Sequence, residues 1–530
     1  MQLPSKETVQ TRIDETIRKF PGVDVLSYAF EDGRRPSFLG GRLMSKSRAL
    51  LVEAGVVSLP KRSIAAIQTA HCYVDITNFD NLLTDGGRET EASTRKLCSF
   101  LHGLFQSADI LTDGTSVQRV DFHGGRVHAV VVSQNSDPCS LEDLTQLVAF
   151  ANGIRAIVPK LVLEVYGHSL NVDTRAGIDA GPCLAWDDGD LDGAEPIFLG
   201  SPANHAAKIA GNSQVPGIYL SDRVTRQFPN IGLNASQLYA GALRKGGTFY
   251  QAAPSLMERV NRYTDDTRIR NEAALSEGLN LIRKSIVQKS NAHFVFSKTT
   301  PPLRNVRFKN LTPSKSVRME MAVIFADIDG FTAFVDNCIK TGQLEMAAKY
   351  IYVLRREMAS VVRDDCAAKK VRFIGDCIQA VIAAGTYVQT DNQETIRQAV
   401  LTAAGLQRSV ALCAERLRSE YRLAMSIGIE FGETPLSRAG IRGDRSVRLS
   451  CSNASRSAER EQSDCLSGRV KLGPKAAHVG AQPLRLLLEH DDTMSLENSG
   501  YISAILKRGL SRPAIQNAAV SARSSSMFSE

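Results

Sequence analysis

Phe325-Ala326-Asp327-Ile328-Asp329-Gly330-Phe331 decides how this chain is read. Met321 to Phe325 is an apolar run that ends in acid and glycine, the pattern of a buried strand whose C-terminal edge presents carboxylates. Further on, the β-rich run Lys369 to Ile374 meets a turn signal, Gly375-Asp376, which leads into Cys377-Ile378-Gln379-Ala380-Val381-Ile382. A hairpin beside the first strand brings Asp376 near Asp327. Two carboxylates on adjacent strand ends, with oxygen as the only donor, suit Mg²⁺ or Mn²⁺ and a two-metal phosphoryl or nucleotidyl transfer. A solvated acidic strand end beside an ordinary hairpin turn is the plainer reading of the same residues.

These residues resemble the class III nucleotide cyclases, the family of adenylate and guanylate cyclases. That family carries a Phe-x-Asp-Ile-x-Gly-Phe strand and a Gly-Asp hairpin, and Asp327 and Asp376 stand at its two metal-holding positions. The resemblance implies two Mg²⁺ or Mn²⁺ ions on Asp327 and Asp376, with the backbone carbonyl of Ile328 as a further ligand. Ser426-Ile427-Gly428-Ile429-Glu430-Phe431-Gly432 is similar to the family's Gly-Ile-x-x-Gly strand, so the likeness runs from Met319 to about Arg456.

The pattern occurs twice. In the first half Cys72-Tyr73-Val74-Asp75-Ile76-Thr77-Asn78-Phe79 repeats the metal strand, Asp121-Phe122-His123-Gly124-Gly125-Arg126-Val127 the hairpin, and Arg175 to Gly181 the Gly-Ile strand. Gly200-Ser201-Pro202-Ala203-Asn204-His205-Ala206-Ala207-Lys208 resembles the family's Gly-x-x-x-Asn-x-Ala-x-Arg segment. There the Asn orients the ribose and the basic residue steadies charge developing on the α-phosphate. The copies have decayed in complementary ways. The first keeps Asp75 but has Gly125 at the second metal position, and it keeps Asn204, with Lys208 for the usual Arg. The second keeps both aspartates but has Ser452 where the Asn belongs, followed by Arg456 at the basic position. Asn453 is one residue out of register, a rotation of about 100° on a helix. Class III sites form between two domains, so the resemblance implies one whole composite site, with Asp327, Asp376, Asn204 and Lys208 as its catalytic set.

The base-reading positions are less uniform. By resemblance the first falls three residues before the hairpin glycine, at Asp121 in one copy and Arg372 in the other; its partner falls at Ile197 and near Arg445. Asp121 as an acceptor and Arg372 as a donor are alternative readers of a pyrimidine. Arg244 and Lys245 stand where the family often carries a phosphate-binding loop, and a surface hairpin explains them equally well. Lys370 to Gln379 and Gly440 to Arg448 further resemble the Pycsar pyrimidine cyclases of bacterial antiphage defence. That resemblance implies UTP as substrate, then CTP, then ATP, and a separate effector protein that responds to the cyclic nucleotide. Two rival classes are the other enzymes that use Asp-Ile-Asp strands on this type of core, the diguanylate cyclases and polymerase palms, and a nucleotide-sensing pseudoenzyme, to which the two lost residues point.

Bulk properties accord with an enzyme in the cytoplasm. The 530 residues have room for two or three domains, and the net charge of +8 is modest and dispersed, so nucleic-acid binding is not required. Ten cysteines without CxxC pairing read as reduced core residues. No apolar run approaches the roughly 18 residues that span a membrane. The expected fold is α+β: a lead-in (1–65), a degenerate cyclase-like domain (66–254), a helical linker (255–316), a metal-bearing cyclase domain (317–510) and a disordered tail (511–530). Each domain is expected to be a ferredoxin-like βαββαβ core with its sheet covered by helices. The two are expected to pair as a pseudo-heterodimer, in a monomer or a homodimer.

Overall fold

The two acid-ended runs form two long central strands, buried along most of their length, each the axis of its own sheet. A computed structural model describes residues 3–480 apart from 27, 30–36, 39–62, 133–139, 188–196, 213–214, 229–239, 243–247, 253, 263, 289, 419, 422 and 441–445, together with 493–495. The first half contributes β1 (Ser63–Ile76), β2 (Gln118–His123), β3 (Arg126–Val132), β4 (Thr174–Asp187) and β5 (Gly217–Ser221). The second contributes β6 (Ser316–Asp329), β7 (Lys369–Ile374), β8 (Cys377–Ile382), β9 (Ala424–Ala439) and β10 (Arg469–Leu472). The orders β2-β3-β1-β4-β5 and β7-β8-β6-β9-β10 are the same, with only the β4–β5 and β9–β10 pairs parallel. Both edge hairpins carry a register shift at the same place, between Arg119 and Asp121 and between Lys370 and Arg372. A bulge re-aims the side chains that follow it, here Asp121 and Arg372.

Helices α1 (Lys6–Arg18), α2 (Glu91–Thr112), α3 (Leu141–Tyr166), α4 (Ser201–Asn212) and α5 (Thr264–Ile286) precede the second sheet in the chain. Within the second half lie α6 (Phe331–Thr341), α7 (Leu344–Ser360), α8 (Asn392–Arg416) and α9 (Asn453–Asp464). The succession β1-α2-β2-β3-α3-β4 and its counterpart from β6 to β9 are the ferredoxin-like order. The glycines of the two Gly-Ile strands matter for close approach. A Cβ on Gly177 would lie 2.3 Å from the Ala206 carbonyl oxygen, and one on Gly428 2.0 Å from that of Ala458. Glycine at these points lets α4 and α9 lie directly against β4 and β9, which fixes where their first turns emerge.

The lead-in helices are exchanged between the halves. Helix α1 precedes the first sheet, yet Val9 and Ile13 are fully buried in the core of the second, beside Ile351, Leu354 and Leu406. Burying two such side chains is worth roughly 1.5–3 kcal/mol each. Arg12 secures the seat, pairing with Glu357 (2.5 Å) and Asp365 (2.7 Å), while Arg408 donates to the Pro4 carbonyl. Conversely, α5 precedes the second sheet but packs on the first: Ala274 and Ile282 join that core, and Ser107 donates to the Ala274 carbonyl at 2.8 Å. The lead-in therefore docks on the half that follows it at a distance. The nine cysteines among the described residues are free, and none of the described helices is long and apolar enough to cross a membrane.

Candidate active site between the halves

Asp327 lies two residues before the end of β6, and its neighbour Ala326 pairs with Ile378 on β8, so the register sets Asp327 beside the turn that carries Asp376. Gly375 opens that turn at φ +60°, a conformation glycine adopts without strain. Burial pushes the Asp376 carboxyl well above the usual carboxylate range, and the negative charges of Asp327 and then Asp329 push it further. Asp329 itself is occupied elsewhere, accepting from the Ser426 hydroxyl with its two oxygens at 2.9 and 2.8 Å. The Ile328 side chain is buried in the second core, and its backbone pairs in register with Met425 on β9. Among the described residues no group of three or more His, Cys, Asp or Glu side chains gathers as a metal cage. A pair of crowded hard carboxylates still fits a divalent cation that takes one or two carboxylates and completes its shell with substrate phosphates and water.

Arg355 is a member of this neighbourhood that motif reading missed. It is 6% exposed, donates to the Gly375 carbonyl, and stacks over the Phe373 ring at 4.7 Å. Its charge opposes the upward push on Asp376. The signal was a charged residue on an otherwise apolar helical stripe, four after Ile351 and three after Tyr352.

The facing wall comes from the first half. Asn204 donates from Nδ2 to the Thr332 hydroxyl at 2.6 Å, and the Ser201 backbone N–H donates to Asp336 Oδ1 at 2.9 Å. Thr332 and Asp336 are one turn apart on α6, the helix that directly follows the metal strand. Lys208 is exposed one turn beyond Asn204 on α4. The first half grips the same turn from its other flank. Arg223 pairs with the fully buried Asp179, which also accepts from the Ser221 hydroxyl. The same guanidinium reaches Ser201 Oγ at 3.0 Å and His205 Nδ1 at 3.1 Å.

The pseudo-equivalent cleft is filled by internal ion pairs. Asp75 pairs with Arg126 (3.1 Å), and Glu459 on α9 faces His123 (3.3 Å), Arg456 (3.7 Å) and Arg126 (3.8 Å). Burial raises the Glu459 carboxyl, but His123, Arg126 and Arg456 outweigh it and hold the group well below the usual range. A Cβ on Gly125 would meet the Phe79 ring at 2.4 Å, so the place of a second carboxylate is taken by an aromatic ring. Ser452 caps α9, accepting from the Ser455 N–H, and Asn453 turns to Glu89 at 3.0 Å.

Asp121 and Arg372, the two alternative base readers, meet across the halves. Arg372 Nη1 lies 3.4 Å from Asp121 Oδ1 and also donates to the Phe122 carbonyl. Ile197 is half-buried at the start of a short strand against β4. Arg244, Lys245 and Arg445 lie outside the described residues.

Comparison with known proteins gives the family and the fold. Residues 314–504 match the adenylate and guanylate cyclase catalytic domain. A solved class III adenylyl cyclase-like ATP-binding protein from Pseudomonas aeruginosa superposes with a TM-score of 0.78 at 25% identity, covering 96% of this chain and all of that one. A uridylate cyclase from a Rhizobium species is 34% identical over 449 residues, 83% of this chain and 84% of that protein. A uridylate cyclase of Pseudomonas aeruginosa is 28% identical over 441 residues, 81% of each. The chain belongs to the class III adenylate and guanylate cyclase family. It is a nucleotide cyclase, of a family that works with divalent metal ions.

Proposed function

We propose that this cyclase converts UTP to 3′,5′-cyclic UMP and pyrophosphate in one composite site, with Asp327 and Asp376 on one wall and Asn204 and Lys208 on the other. The observation that carries the reading is the Asn204–Thr332 hydrogen bond, which ties the ribose-facing helix to the helix beginning just after the metal strand. The uridylate cyclases of Rhizobium and Pseudomonas, similar over four-fifths of the chain, support the choice of base.

In this reading Asp327 and Asp376, with the Ile328 carbonyl, hold two Mg²⁺ or Mn²⁺ ions. When bound, such ions acidify the ribose 3′-hydroxyl and neutralise the triphosphate. Asn204 orients the ribose so that its 3′-oxygen lies in line with the α-phosphorus. The O3′–P bond forms as the bond to pyrophosphate breaks, and the hydroxyl proton leaves to water. Lys208 offsets charge on the α-phosphoryl oxygens, and Lys245 is assigned to the departing phosphates. Asp121 and Arg372 read the pyrimidine edge once their mutual contact opens. Cyclic UMP then acts as a second messenger for a separate effector in antiphage defence.

Incubation of the purified chain with UTP, CTP, ATP and GTP and Mn²⁺, with products identified by mass, tests the assignment. Cyclic UMP is expected as the main product, and dominant cyclic CMP or cyclic AMP would overturn the choice of base. An ATP-binding sensor is the second reading, favoured by the solved ATP-binding relative; ATP binding with no product from any triphosphate would support it. Mixing Asp327→Ala chains with Asn204→Ala chains should give no rescue, because both walls belong to one chain.

A further inference from the structure

We propose that Asp336, acting with Thr332, is a positioning residue for cyclisation: it aligns the first turn of α4 from the opposite half, so that the metal strand and the Asn204 helix move as one body. The inference rests on the composite-site reading above and adds residues that the motifs do not mark. Three observations converge. Thr332 and Asp336 lie at i and i+4, on one face of α6. Both engage the same turn of α4, Thr332 through the Asn204 side chain and Asp336 through the Ser201 N–H, one of the donors that a helix start leaves unsatisfied. Gly200, at φ +136°, lets the two approach, since a Cβ there would sit 3.3 Å from Asp336 Oδ1.

The chemistry explains why such a contact matters beyond stability. Asn204 and Lys208 belong to one half and Asp327 and Asp376 to the other, so a small sliding of the halves misaligns the ribose and the phosphate together. Arg223, through Ser201 Oγ and His205, fixes the turn to its own half. Asp336 and Thr332 fix it to the metal-bearing half. Thr332 also takes the Asn204 amide N–H, which sets the rotation of that amide.

The test uses the full chain with UTP and Mn²⁺. Asp336→Ala should lower kcat about 10- to 100-fold, the scale of a misplacement near 1 Å, with little change in thermal midpoint or in the Mn²⁺ concentration that half-saturates activity. Asp336→Asn keeps the acceptor oxygen and should recover most of the loss, as Thr332→Ser should relative to Thr332→Val. Combining Asn204→Ala with Asp336→Ala should add little to Asn204→Ala alone. Wild-type kcat in Asp336→Ala, equal damage in Asp336→Asn, or a loss that follows the melting temperature would each overturn the proposal. Asn204→Ala separates the two levels. Normal turnover in that variant removes the composite site itself, whereas a dead Asn204→Ala with an indifferent Asp336→Ala removes only the positioning role.

Discussion

The two clefts between the halves are built from the same strands in the same order, and they differ in how charge is balanced. In one, Asp327 and Asp376 crowd together and lift the Asp376 carboxyl. In the other, Asp75 is matched by Arg126, Glu459 is surrounded by cations, and Phe79 occupies the room beside Gly125. One cleft carries crowded carboxylates, and its twin balances its acids with cations of its own.

The largest effects should separate the clefts by activity. Asp327→Ala or Asp376→Ala should lower kcat by several orders of magnitude, and chelation of divalent metal should do the same to the wild type. Asp75→Ala should leave turnover near wild type while lowering stability, because Arg126 loses its nearest carboxylate. Metal-dependent rates for the three variants check this, and a dead but folded Asp75→Ala would break the contrast.

Next comes the exchanged helix. Arg12→Ala strands Glu357 (1% exposed side chain) and Asp365 (9%) without their cation. The expected cost is about 3–5 kcal/mol, read by denaturant unfolding of the whole chain. A smaller effect accompanies any attempt to restore the lost acid. Gly125→Asp forces Phe79 aside and should cost about 1–3 kcal/mol, with no gain in metal-dependent activity.

The mildest test is pH. His71 and His128 touch at 2.9 Å in the first half, and burial lowers both, His71 from 6.5 to about 3. Unfolding frees them to bind protons near pH 6.5, so their stability is present above that pH and is lost as pH falls toward the folded values. The slope is about 1.4 kcal/mol per pH unit for each histidine. Register places Gln379, which does not titrate, at the His128 position of the second half. Thermal melts of wild type and His71→Gln between pH 5 and 7 should show the acid sensitivity weaken in the variant.

Much of this was legible in the chain. The expected strand Lys369 to Ile374 is β7. Local periodicity determines such elements, and the paired Asp-Ile and Gly-Asp signatures mark the site because chemistry demands those residue types. Contacts between the halves carry no local period. Arg355 looked like one more charged helix residue, Thr332 and Asp336 like ordinary positions after a motif, and the bulge before Asp121 and Arg372 has no residue of its own to announce it. The seat of α1 was invisible for the same reason, since its amphipathic face states that it packs but not on what.

That seat has a temporal consequence. Arg12 finds Glu357 and Asp365 only across separations of 345 and 353 residues, so α1 waits unpaired until synthesis has passed the whole first sheet and α7. The first sheet, in turn, lacks α5 until synthesis has passed its own strands. The second half is completed only with a helix made before the first sheet, and pairings at such sequence separation are slow to form. A chain cut just before α5 would yield two fragments, each lacking a helix that the other holds, and assembly order becomes a property of the fold as much as the active site is.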